Sequence, residues 1–105
     1  MHCNVVPVRV LYLIANPKDN FLRHALALEF IKTGDDKQAR SLFEALLMET
    51  PTYIGSYYHL AKLLEKLEER ELAIGWYEKG MAEAKLAKDQ HAYNELQAAY
   101  EDLVY

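Results

Sequence analysis

The chain is poor in the residues that build phosphate loops, disulfides and membrane spans. Its four glycines, Gly34, Gly55, Gly75 and Gly80, are scattered, so no glycine-rich loop is present to wrap a phosphate. Its one cysteine, Cys3, excludes an intrachain disulfide and fits a reducing compartment. Basic residues number 12 against 16 acidic ones, a formal net charge of −4. That balance argues against nucleic acid or an anionic membrane as the main partner, because both need a basic patch. Long apolar runs are missing as well. Residues 5–15 are apolar except where Pro7 and Arg9 interrupt them, and no basic residue precedes them. A secretory signal needs a longer apolar stretch behind a positive start, and a spanning helix needs about 20 apolar residues. A cytoplasmic protein is therefore expected. There is no Gly-x-Ser-x-Gly elbow and no Cys/His pair in a workable setting. The many glutamates follow helix-surface spacing, so no enzyme is expected.

What is present is helical patterning in a chain about half apolar, enough for one small packed domain. Pro7 can open a helix, and Val8, Leu11, Tyr12 and Ala15 share one helical face. These predict a short helix at 7–15, against the strand preference of the valines around it. Asn16-Pro17 ends it. Asp19 or Asn20 can cap the next helix, whose stripe is Leu22, Leu26, Ala27, Phe30 and Ile31. Gly34 supplies a stop and Asp35 or Asp36 a fresh cap. Ala39, Leu42, Phe43, Leu46 and Leu47 make the following buried face, closed by Pro51. Tyr57, Leu60, Ala61 and Leu64 then mark a further helix, and Leu72, Ala73, Trp76, Tyr77 and Met81 its partner. The charged run 65–71 between them reads as a solvated turn. A last segment, 90–104, sets Ala92, Leu96, Ala99 and Leu103 against Asn94, Glu95, Gln97, Glu101 and Asp102. One apolar and one polar stripe suit a terminal capping helix.

These elements repeat. Leu26-Ala27, Ala39 and Phe43 return 34 residues later as Leu60-Ala61, Ala73 and Tyr77, a period that marks stacked helix–turn–helix units. Ala27, Ala39, Ala61 and Ala73 are small where helices must cross closely, with Phe30, Phe43 and Tyr77 filling the space beside them.

On those residues the chain resembles the tetratricopeptide repeat family. Copy one departs from the pattern at Arg23, where a bulky residue is usual. Copy two departs at Gly80 and Lys85, which stand where copy one has Leu46 and Pro51. The resemblance implies an all-α solenoid spanning 1–105 as a single domain: the 7–15 helix, repeat one at 20–53, repeat two at 54–89 and the terminal helix at 90–104. It also implies no cofactor and a groove, lined by the first helix of each copy, that binds a protein or peptide. The groove residues would be Phe21, His24, Leu28 and Ile31, then Tyr58, His59, Lys62 and Lys66, then His91, Asn94, Ala98 and Glu101. Phe21 and Leu28 flank His24 on a face that packing within the copy does not need. They serve as an apolar anchor for a partner, or they pack on the N-terminal segment or simply sit exposed. Lys62, His24 and Asn94 would set orientation. Some family members clamp a C-terminal carboxylate with Lys, Arg and Asn, but the matching places hold His24, Leu28, His59, His91 and Glu95, which do not make that clamp.

Two further readings stand beside this one. His24, His59 and His91 lie on successive first helices, and three converging imidazoles can hold a metal, although no nearby carboxylate or cysteine completes the set. The apolar residues Val5, Val8, Val10, Leu11, Leu13 and Ile14 exceed what one helix face buries, so a homo-oligomer through the N-terminal segment is the alternative to an adaptor.

Overall fold

A computed structural model describes residues 19–105, and every described element is helical: α1 Asn20–Lys32, α2 Asp36–Glu49, α3 Gly55–Lys66, α4 Arg70–Leu86 and α5 Gln90–Val104. The all-α repeat architecture expected from the sequence is the one observed. The expected 7–15 helix and the apolar residues proposed for self-association lie outside the described residues.

Local chemistry sets the helix ends. Asp19, Asp35 and Asp89 each accept a hydrogen bond from the backbone N–H three residues on, at 3.0, 3.2 and 3.1 Å, which satisfies one of the orphan donors of the first turn. Gly34 closes α1 at φ +87°, and Asp35 N–H then donates back to Phe30 O at 2.8 Å, the bond that finishes a helix through a left-handed residue. The same backbone bond recurs from Glu69 to Leu64 and from Asp89 to Ala84. There, however, the left-handed residues are Glu68 (φ 62°) and Lys88 (φ 58°) rather than glycine.

The helices pack as two pairs and a closing helix. α1 lies on α2, α3 on α4 and α5 on α4, while α2–α3 and α3–α5 contacts join successive units. One contiguous core runs through this stack: Ala27, Ala39, Phe43, Leu46, Leu60, Ala61, Leu64, Ala73 and Tyr77 are all fully buried. The four alanines of the repeated pattern thus sit where neighbouring helices leave no room for more.

Two of the three departures from the family pattern, Arg23 and Gly80, have packing reasons. Arg23 is buried rather than displaced. Its guanidinium meets Glu49 at 2.8 Å and Asn20 Oδ1 at 2.7 Å, tying the start of α1 to the end of α2. In copy two the corresponding residue is Tyr57, also buried, whose hydroxyl donates to Pro51 O at 2.6 Å. Its side chain lies against position 80, the place of Leu46 in copy one, and Gly80 leaves the room. A Cβ at position 80 would lie 2.7 Å from Tyr57 Cβ and 3.0 Å from Leu96 Cδ1. Gly80 therefore lets α4 approach α3 and α5 together.

The turn between α3 and α4 is solvated, as the charged run 65–71 suggests, with Lys66 and residues 68–71 exposed; only Glu65, still within α3, is drawn inward. Glu65 accepts the hydroxyl hydrogen of buried Tyr77. Burial and that carboxylate together hold the Tyr77 phenol far above its ordinary range.

Candidate functional site

The first helices α1, α3 and α5 form one layer, since α1 meets α3 through side chains and α3 meets α5 directly. The sequence-predicted site residues distribute unevenly over it. Phe21 opens α1 and is 69% exposed. Leu28 is two turns further along the same face, half-buried and packed on the core margin. Ile31 and Tyr58 are likewise half-buried against the core. Lys62 is exposed one turn after Tyr58, its Nζ 5.8 Å from the Tyr58 ring centre and 3.7 Å from Glu65. Lys66 is held by Asp36 of α2 at 3.1 Å. Asn94 is exposed on α5 and accepts from Gln90 Nε2 at 2.7 Å, so its contact in the structure is along its own helix.

His24 and His59 come together. Their ring centres are 5.4 Å apart, edge to face. His24 packs edgewise on Phe43 at 5.6 Å and near Tyr53 at 5.8 Å, while His59 stacks over Phe43 at 6.3 Å and meets Tyr58 edgewise. Nδ1 of His24 shares a 2.7 Å hydrogen bond with the buried hydroxyl of Ser56. Burial lowers both imidazole pKa values. The neighbouring His59 lowers His24 further, and Glu95 partly offsets the effect at His59. The pair is thus an aromatic wedge between α1 and α3. His91 is exposed on α5 and takes no part in it, so the three imidazoles do not converge. Among the described residues no group of His, Cys, Asp and Glu is arranged to hold a metal.

A second surface lies on the opposite layer, where the sequence pattern counted Leu72 and Trp76 as core. Both are only partly covered. Trp76 packs against Tyr57 at 6.0 Å between ring centres and carries Lys79 over its ring at 4.7 Å. Met48 beside it is 73% exposed. A shallow depression of about 320 Å³ lies between α2 and α4, lined by Leu47, Met48, Pro51, Trp76 and Lys79 among others. Helical spacing alone cannot reveal this, because Trp76 satisfies the core stripe while its ring overhangs the helix edge. No described helix is long and apolar enough to cross a membrane.

No family model matches the chain, and a search of curated proteins finds no relative. Solved structures do match. The solution structure of a tetratricopeptide repeat domain protein from Salinibacter ruber is 40% identical, with a TM-score of 0.81 over 84% of this chain and 89% of its own. A crystal structure of a tetratricopeptide repeat domain protein from the same organism gives 40% identity and a TM-score of 0.78, over 81% and 94% of the two chains. A Bordetella parapertussis protein is 26% identical with a TM-score of 0.77, over 96% and 89%.

Proposed function

Because the chain belongs to the tetratricopeptide repeat family, we propose that it is an interaction adaptor which binds a peptide or helix of a partner protein across the α1–α3–α5 layer. The observation that carries the reading is the exposed Phe21, in register with half-buried Leu28 on a face that the pairing of α1 with α2 leaves open. Large aromatic and aliphatic side chains on a rigid surface supply most of the energy of such contacts. Tyr58 continues that surface on α3, and His24, His59, Lys62 and Asn94 supply polar groups that orient the bound segment. The scaffold is preformed, so little ordering is lost on binding. The reading includes a cytoplasmic setting and no catalytic role or cofactor.

Affinity capture with purified protein tests it. Partners held by the wild type are expected to be lost by Phe21→Ala/Leu28→Ala and kept by Met48→Ala/Leu72→Ala, which alters the opposite layer. Retention by the first variant counts against this face.

A further inference from the structure

The α1–α3–α5 layer is apolar at one end and acidic at the other. On α5, Glu95, Ala98 and Asp102 recur at i, i+3 and i+7, the spacing of one stripe. The stripe flanks α3: Glu95 acts electrostatically on His59 of α3, and Asp102 on the α4 hydroxyl of Tyr77, which donates to Glu65 of α3. Both carboxylates are exposed and neither forms an ion pair within the described residues. α5 itself contains no lysine or arginine. The cations that could offset them are engaged elsewhere. Lys66 is bound to Asp36 at 3.1 Å, Lys62 to Glu65 at 3.7 Å, and Arg70 donates to Leu103 O and meets Glu71. The Phe21 end of the layer has the converse character, an exposed aromatic ring whose nearest charged residues in sequence are engaged elsewhere, Asp19 capping α1 and buried Arg23 paired with Glu49.

We infer that the occupant of this face is a basic peptide segment, with an apolar residue seated at Phe21 and Leu28 and Lys or Arg side chains seated at Glu95 and Asp102. This rests on the proposed use of the α1–α3–α5 layer and adds the chemistry of the partner. Helix axes pack about 8–10 Å apart, so α1 to α5 is roughly 20 Å, the span of about six extended residues. Carboxylates left unpaired at an exposed rim steer and orient a cationic ligand more than they tighten it. Lys62, between the two ends, disfavours a cation in the middle of the bound segment and so orients it with its basic residues towards α5, at some cost in affinity.

The test uses fluorescence anisotropy with three labelled, end-capped hexapeptides. The first carries leucine at one end, serines between, and two arginines at the other. In the second the arginines are glutamates, and in the third the leucine is serine. Each is made in both directions. The first is expected to bind at least tenfold tighter than the second, and to weaken as salt rises. Glu95→Gln/Asp102→Asn is expected to abolish that preference, and Lys62→Gln to strengthen binding of the first peptide several-fold. Equal binding of the arginine and glutamate peptides, no binding of either, or a preference that survives Glu95→Gln/Asp102→Asn overturns the inference. If both peptides bind equally but Phe21→Ala/Leu28→Ala abolishes them, the docking face stands and its proposed charge selectivity falls. If the arginine preference persists in Phe21→Ala/Leu28→Ala and the third peptide binds as well as the first, the acidic stripe stands and the apolar anchor falls.

Discussion

Gly80 and the histidine pair show how single side chains set limits here. A methyl group at position 80 meets Tyr57 Cβ, which is anchored to the α3 backbone, and the side chain of Leu96. α4 must therefore move away from two helices at once. Gly80→Ala is expected to destabilise by about 1–3 kcal/mol, the usual cost of overpacking, despite alanine's better helix propensity. Thermal unfolding followed by circular dichroism measures it, and an unchanged or raised Tm contradicts the packing account. His24 and His59 make a pH prediction. Each imidazole is held below its ordinary pKa, chiefly by burial, so the folded state favours the neutral form. That contribution is complete above the unfolded-state value of 6.5 and is lost as pH falls through the lower folded-state values. Tm is expected to drop between pH 7.5 and pH 5, and His24→Gln/His59→Gln to show a smaller drop. The groups around the pair are Ser56, Tyr53, Tyr58 and Glu95, and none is a cation that would mask the effect. The sequence carried both histidines as separate groove candidates. It could not place them edge to face, because they are 35 positions apart and only the stacking of α1 on α3 joins them.

Among the elements, the two turns within the repeats differ in quality. Copy one uses Gly34 and Asp35, a residue that tolerates the left-handed conformation followed by a residue that caps. Copy two has Glu68 and Glu69 at the same places. Glu68 adopts φ 62°, and Glu69 makes no side-chain cap bond. Left-handed geometry costs a residue with a Cβ about 1–2 kcal/mol, and a missing cap costs about 1 kcal/mol. Glu68→Gly/Glu69→Asp is therefore expected to stabilise by roughly 1–2 kcal/mol, after allowing for glycine's freedom in the unfolded chain. Urea titration reads this as a higher midpoint at unchanged slope, and a fall in midpoint would refute it. The helices themselves were legible because their signals are local: Asp19 and Asp35 before apolar stripes, and Gly34 after one. The Glu65 contact was not. A glutamate in a charged run gives no sign that a tyrosine 12 residues on, on the next helix, will donate to it.

The molecule as a whole is a stack in which each helix touches only its near neighbours in sequence. Stability in such a stack is a sum of unit and interface terms. α3 and α4 lie between other helices, whereas α5 faces outward with His91, Asn94, Glu95 and Ala98 exposed. Hydrogen exchange is expected to release the amides of α5 before those of α3 and α4. Uniform protection across the five helices would instead indicate a single cooperative core. The solenoid was readable from the 34-residue spacing of small and aromatic residues, since that spacing is the packing rule itself. The candidate face was readable only as a set of positions. Which of its charges are already satisfied, as Lys66 is by Asp36 on another helix, depends on contacts that no spacing reports.

The size match between Tyr57 and Gly80, at places where copy one has Arg23 and Leu46, bears on how such chains can diversify. The matched residues lie on different helices of each copy, so the inheritable unit is the pair and not the single helix. A crossover that joined α3 to α2 would set a tyrosine side chain against a leucine, and one that joined α1 to α4 would leave the notch at Gly80 without the tyrosine that fills it. Recombination within this gene is therefore expected to be tolerated best when it moves whole copies.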